Sequence, residues 1–94
     1  MDIGLAIKKL RQKGNMTQGQ LADKCLVSTN TVSSWETSRS YPPKGAMERI
    51  SKVFGVPTSY LVLAAVEETD FPENKRMLYK ALLEPLRNEL LDTD

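Results

Sequence analysis

Apolar residues recur along this chain with helical rather than strand spacing. Ile3, Ala6, Ile7 and Leu10 fall at i, i+3, i+4 and i+7, one stripe of an amphipathic helix over 3–13, with Gly14 as its ending residue. Thr17 followed three residues later by Gln20 has the S/T-x-x-E/Q form of a capping box. A second helix therefore starts there, about eight residues long, with Leu21, Ala22 and Cys25 as its buried stripe. Leu26 and Val27 turn the chain. Ser28 has the chemistry of the next N-cap, a short side-chain oxygen able to accept an otherwise orphaned backbone N–H. From Ser28 to about Ser38, helical spacing puts Val32 and Trp35 on one side and spreads Thr29, Asn30, Ser33, Ser34 and Thr37 over the other.

Pro42 and Pro43 then require a loop, and Pro43 is predicted as the first residue of a fourth helix, where its missing N–H costs nothing. Met47, Ile50, Val53 and Phe54 form that helix's apolar face up to Gly55. A fifth, strongly apolar helix runs from Thr58 to about Val66. An acidic link, Glu67 to Asp70, leads to Phe71-Pro72 and a sixth helix ending near Leu91. Pro85 removes a hydrogen bond from that helix and should kink it near Ala81. The predicted class is all-α, with a compact unit over 1–66 followed by a linker and amphipathic helix over 67–94.

Composition narrows the function classes. Ninety-four residues, 40% of them apolar, make one small globular domain. The longest apolar run, Tyr60 to Val66, is too short to span a bilayer, and the first residues lack the form of a secretory signal, so a cytoplasmic location is expected. Cys25 is the only cysteine and there is no histidine, which leaves no internal disulfide and no structural zinc set, and no metal or cofactor is expected. Without a histidine, a Gly-rich phosphate loop or a G-x-S-x-G motif, the chain lacks the parts of an enzyme. Net charge is only +1, but it is unevenly distributed. Residues 1–55 carry nine Lys or Arg against four acids, and residues 56–94 carry four against eight. A basic front suits a module that presents one end to a polyanion.

The free face of the third helix is made of short hydroxyl and amide side chains without charge, whereas a merely solvated surface is dominated by Lys and Glu. It has the make-up of a DNA-reading surface. Arg11, Thr17-Gln18 with Leu21-Ala22, Val27-Ser28, Thr31-Val32, Trp35-Glu36 and Phe54-Gly55-Val56 stand in one register. In that register the chain resembles the helix-turn-helix domain of the XRE family, the group of phage Cro and the lambda-like repressors, from Ile3 to Leu63, about two thirds of its length.

The resemblance implies a five-helix lambda-repressor-like domain over 1–66, with helices 2 and 3 as the helix-turn-helix and helix 3 in the major groove. It implies a protein of bacterial or phage type, on the nucleoid when bound. Thr29, Asn30 and Ser34 match positions that touch base edges, Thr31 and Ser33 neighbour them, and Gln18 matches a phosphate clamp. Arg11 and Glu36 match a structural ion pair inside the fold. Two positions depart from the pattern: Leu26 in the turn and Ser38 after helix 3 stand where the family commonly has glycine. Each implies a left-handed residue at a cost of about 1–2 kcal/mol, or a different local backbone path.

On chemistry, Asn30 suits adenine N6 and N7, and Thr29 offers a methyl to thymine and a hydroxyl to either base. The expected base-reading set is Thr29, Asn30, Ser33 and Ser34, and the expected backbone set is Gln18, Ser28, Thr31, Arg39 and Lys44 with the helix N-terminal N–H groups. One bidentate contact discriminates by about 1–3 kcal/mol, and specific binding must exceed non-specific binding by about 4–10 kcal/mol, so two copies on a palindrome are expected. The sixth helix supplies a means. Leu78, Leu82, Leu86 and Leu90 lie within a broad apolar arc, opposite Arg76, Lys80, Glu84 and Arg87, and are read as a homodimerisation element, the alternative being a helix that only packs on helix 5 and closes the domain of a monomer.

The expected function is a dimeric, sequence-specific, double-stranded-DNA-binding transcriptional regulator, a repressor that occludes promoter DNA. The alternative is an antitoxin-like or adaptor protein whose last helix binds a different protein. The sequence does not identify a small-molecule effector, present or absent. Trp35 is assigned to the core, Cys25 to the role of a small hydrophobe, and Lys8, Lys9 and Lys13 to a solvated face.

Overall fold

Helix boundaries in this protein follow its capping residues. In a computed structural model that describes residues 1–91, α1 spans Ile3–Lys13, α2 Gln18–Cys25, α3 Thr29–Glu36, α4 Lys44–Phe54 and α5 Thr58–Ala65. Residues 92–94, the end of the predicted 67–94 segment, lie outside the described residues. Asp2 opens α1, its Oδ1 accepting the Leu5 N–H at 3.0 Å. Thr17 and Gln20 form the reciprocal capping box: Thr17 Oγ1 accepts from Gln20 N at 3.1 Å, and Gln20 Oε1 accepts from Thr17 N at 2.8 Å. Ser28 Oγ accepts from Thr31 N at 3.1 Å and starts α3.

Four helix ends share one device. After α1, α2, α3 and α4 the chain enters the left-handed region at Asn15 (φ 56°), Leu26 (φ 60°), Ser38 (φ 61°) and Gly55 (φ 70°). Each time two bonds close a Schellman motif: the N–H of the left-handed residue reaches back three residues and the next N–H reaches back five. At Leu26 these are Leu26 N to Asp23 O at 3.3 Å and Val27 N to Ala22 O at 3.0 Å. Leu26 and Ser38 thus follow the path a glycine would take and bear the steric cost, rather than diverting the backbone. The left-handed residue after α1 is Asn15, not Gly14, whose φ is −84°.

Other boundaries differ from the sequence reading in small, explicable ways. The α3 helix ends at Glu36, with Thr37 as C-cap, because the left-handed Ser38 cannot continue it. Pro43 precedes α4 as its N-cap in extended conformation instead of forming its first turn. The acidic link is itself a short 3-10 turn, Glu68–Asp70, and a second one, Glu73–Lys75, precedes the last helix. That helix, α6, runs over residues 76–91 as Arg76–Leu78, a π-helical stretch Tyr79–Leu83, and Glu84–Leu91. The π stretch stands where a kink was expected. Pro85 cannot donate to Ala81, and the Glu84 N–H bonds five residues back to Tyr79 O, which widens the turn to admit the ring.

The core gathers Ile3, Ala6, Ile7 and Leu10 of α1, Leu21, Ala22 and Cys25 of α2, Val32 and Trp35 of α3, Met47 and Ile50 of α4, and Leu61 and Ala64 of α5. Burial pushes the Cys25 thiol above its ordinary pKa, as befits a small hydrophobe. The start of α1 lies against the end of α3 so closely that a Cβ on Gly4 would stand 2.3 Å from Trp35 O. Asp2 N donates to Ala65 O at 2.8 Å, tying the start of α1 to the end of α5.

The α6 helix closes the domain on α1 and α5. Its Tyr79 and Leu91 are buried, and the Phe71 and Tyr79 rings stand 5.4 Å apart. Arg87, expected on the solvated side, is half-buried and donates from Nε to Ala64 O at 3.2 Å at the carbonyl end of α5. Lys13 is exposed, as a solvated face requires, and its Nζ also reaches Glu89 O and Leu90 O at 3.4 and 3.3 Å, at the end of α6.

Candidate nucleic-acid interface

The α2–turn–α3 unit is held from three sides. The α2 helix packs between α3 and α4, and α3 also packs on α1. A polar knot fixes the far end of α3. The Glu36 carboxylate accepts from Arg11 Nε at 2.6 Å, Arg11 Nη2 at 3.0 Å and Gln18 Nε2 at 3.1 Å, and Arg11 Nη1 donates to Met16 O at 2.8 Å. The Arg11 and Glu36 side chains are 12% and 2% exposed. Charge and hydrogen-bonding capacity are therefore matched inside the fold, and the one carboxylate of α3 is withdrawn from the surface. The same knot orients the Gln18 amide at the first residue of α2, with one Nε2 hydrogen on Glu36 and the second left over.

The free face of α3 divides into two parts. Thr29 and Asn30, on the first turn, are exposed. Behind them the hydroxyls of Ser28, Thr31, Ser34 and Thr37 are paired with each other, with the loop or with backbone: Ser28 Oγ and Thr31 Oγ1 lie 2.9 Å apart, Ser34 Oγ and Ser40 Oγ 2.9 Å apart, and Thr37 Oγ1 donates to Ser33 O at 2.8 Å. Thr31, Ser33 and Ser34 are half-buried. Arg39 and Lys44 are exposed on the loop after α3 and on the first turn of α4. The surface is thus a polar, uncharged first turn with hydroxyl groups held in place behind it and cations at its margin, an arrangement able to meet base edges with Asn30 and Thr29 and phosphates with the margin.

Sequence reasoning missed Ser40, which fixes the Ser34 hydroxyl. It lies in an irregular loop, where periodicity carries no signal. In the strongly apolar α5, Tyr60 is 50% exposed and shares a hollow with Leu86 of α6, whose Leu78, Leu82 and Leu86 are exposed at 51%, 58% and 54%. Leu90 differs from those three leucines: it is half-buried and packs against the core. No helix among the described residues is long and apolar enough to cross a membrane.

An all-helical domain in which two short, capped helices meet at a Schellman turn and the second presents its first turn outward is a helix-turn-helix domain. Residues 7–61, more than half of the chain, match the sequence model of the helix-turn-helix family, and the chain belongs to that family, in its XRE branch. Among curated proteins it is similar to the HTH-type transcriptional activator BcrR of Enterococcus faecalis, 32% identical over 84% of this chain and 41% of that protein. It is also similar to the HTH-type transcriptional regulator ImmR of Bacillus subtilis (29%, all of this chain, 72% of that one) and to the immunity repressor protein of Bacillus phage phi105 (26%, all of this chain, 68% of that one). The chain thus spans about two fifths of the length of the activator. No solved structure matches it significantly.

Proposed function

We propose that this protein is a sequence-specific regulator of transcription that lays α3 in the major groove of double-stranded DNA, binds a palindromic operator as a homodimer, and acts as a repressor by occluding promoter DNA. The carrying observation is the first turn of α3, where Thr29 and Asn30 stand exposed on a helix fixed at both ends by Ser28 and by the Arg11–Glu36–Gln18 knot. Pre-set geometry matters here. A helix already held in place loses little backbone freedom on binding. Gln18, Ser28, Thr31, Arg39 and Lys44 are assigned to the phosphate backbone, and Thr29, Asn30, Ser33 and Ser34 to the bases, with Asn30 on adenine.

Homodimerisation is supported by α6. Its inner edge, Tyr79 and Leu91, is spent on the chain's own core, and Leu78, Leu82 and Leu86 remain as an apolar stripe with no cover. Two copies related by a two-fold axis would bury the stripe against itself and double the reading unit. Repression is supported by the likeness to a phage immunity repressor.

Selection of bound duplexes from a random pool at physiological salt tests the whole proposal. Enrichment of a palindrome with half-sites about 34 Å apart and an A·T pair in each is expected. A pool that shows no enrichment, or an asymmetric single site, rejects it.

A further inference from the structure

The side of α2 that faces away from α3 carries a second, unassigned surface. An open groove of about 580 Å³ lies between α2, α4 and the end of α1, lined by Gly14, Met16, Lys24, Arg49, Lys52 and Val53. Three of its six lining residues are cations and none is an acid. Among the described residues no carboxylate pairs with Lys24, Arg49 or Lys52. Part of this charge has an internal use: Arg49 Nε donates to Cys25 O at 2.8 Å, at the carbonyl end of α2. That bond uses one edge of the guanidinium, and the two lysines are exposed on the rim. Through the shared walls Gly14, Met16 and Val53, the groove continues into a hollow of about 420 Å³ lined also by Leu10, Lys13, Phe54, Val56 and Leu90, where the Lys13 ammonium is turned to the Glu89 and Leu90 carbonyls. A cationic stretch thus runs directly into a mostly apolar one.

We infer that this groove docks an acidic segment of a partner protein, its carboxylates on Lys24, Arg49 and Lys52 and an apolar side chain in the adjoining hollow. Charge complementarity selects the acidic segment. The apolar extension selects a peptide over a phosphate backbone, which would leave that hollow unfilled. Small ligands favour enclosed pockets that bury most of their surface, and this groove is open along its length. Its lining also separates it from the reading face, since it includes no residue of α3 and none of the residues assigned to DNA. A partner could therefore be held while the operator is bound.

The test uses the full chain and a fluorescein-labelled acidic peptide with a central Leu-Phe pair, read by fluorescence anisotropy. We expect the peptide to bind about tenfold more tightly than its Gln/Asn analogue, as charge pairing across an interface predicts. Replacing Leu-Phe by Ser-Ser should weaken it several-fold. The K24E/K52E double variant, with an unchanged melting curve because both side chains are exposed, should lose the preference for the acidic peptide. On the native chain, amide NMR shifts should cluster at Gly14, Lys24 and Val53. Equal binding of the acidic and amide peptides, or retention by K24E/K52E, would remove the inference. Displacement of the peptide by a random-sequence duplex would reassign the groove to DNA phosphates. Because the peptide assay needs no operator, its outcome is separate from that of the DNA-reading proposal.

Discussion

Leu26 offers a direct measure of what the helix-turn-helix turn costs this fold. The residue holds φ 60° and ψ 40° in the left-handed region, yet its side chain is 82% exposed and buries almost nothing. A residue with a Cβ costs about 1–2 kcal/mol in that conformation, and glycine adopts it freely. Against this, glycine gives the unfolded chain more freedom, worth about 0.5–1 kcal/mol. The Schellman bonds from Leu26 N and Val27 N involve backbone only and survive the change. Leu26→Gly is therefore expected to stabilise the protein by about 0.5–1 kcal/mol. For a domain of this size that raises the midpoint of a thermal melt by roughly 2–8 °C. Leu26→Ala keeps the Cβ and should leave the melt nearly unchanged. Far-UV circular dichroism of the three proteins decides the matter. A Leu26→Gly melt at or below that of the native chain would show that the turn is not strained, or that Leu26 is covered in solution.

Three further outcomes follow from the packing. Gly4→Ala brings a methyl to 2.3 Å from Trp35 O, so despite better helix propensity it should destabilise by about 1–3 kcal/mol in chemical denaturation; a more stable variant would contradict the close approach of α1 and α3. Glu36→Ala strands the half-buried Arg11 guanidinium and should cost about 3–5 kcal/mol, against under 1 kcal/mol if the pair behaved as an exposed one. Leu82→Glu with Leu86→Glu alters only exposed side chains of α6 and should yield a folded monomer by light scattering, with operator binding sharply weakened; a dimer that survives would mean another surface joins the copies.

Much of the fold was legible because local signals and tertiary packing agree. The Thr17–Gln20 box, the Ser28 cap and the α1, α2 and α3 stripes are set by neighbours a few residues apart, and periodicity reads them directly. Errors arose where a distant partner decides. Arg87 looks solvated on its own helix, but it is half-buried and bonds the carbonyl end of α5, a pairing that sequence spacing does not encode. Leu26 and Ser38 show the converse. Their identities argue against a left-handed turn, and the packing of α2 on α3 and of α3 on α1 imposes it. At the candidate site, Thr29 and Asn30 were legible from their place on the helix. The pairing of Ser34 with Ser40 was not, since it depends on the path of a loop.

The central claim is that Asn30 reads a base. Measuring the affinity of Asn30→Ala and of the native chain, each on the selected operator and on a random duplex at one salt concentration, tests it most directly. The substitution should cost about 1–3 kcal/mol on the operator and almost nothing on random DNA. An equal loss on both duplexes, or none on either, would contradict the assignment of α3 as the reading helix.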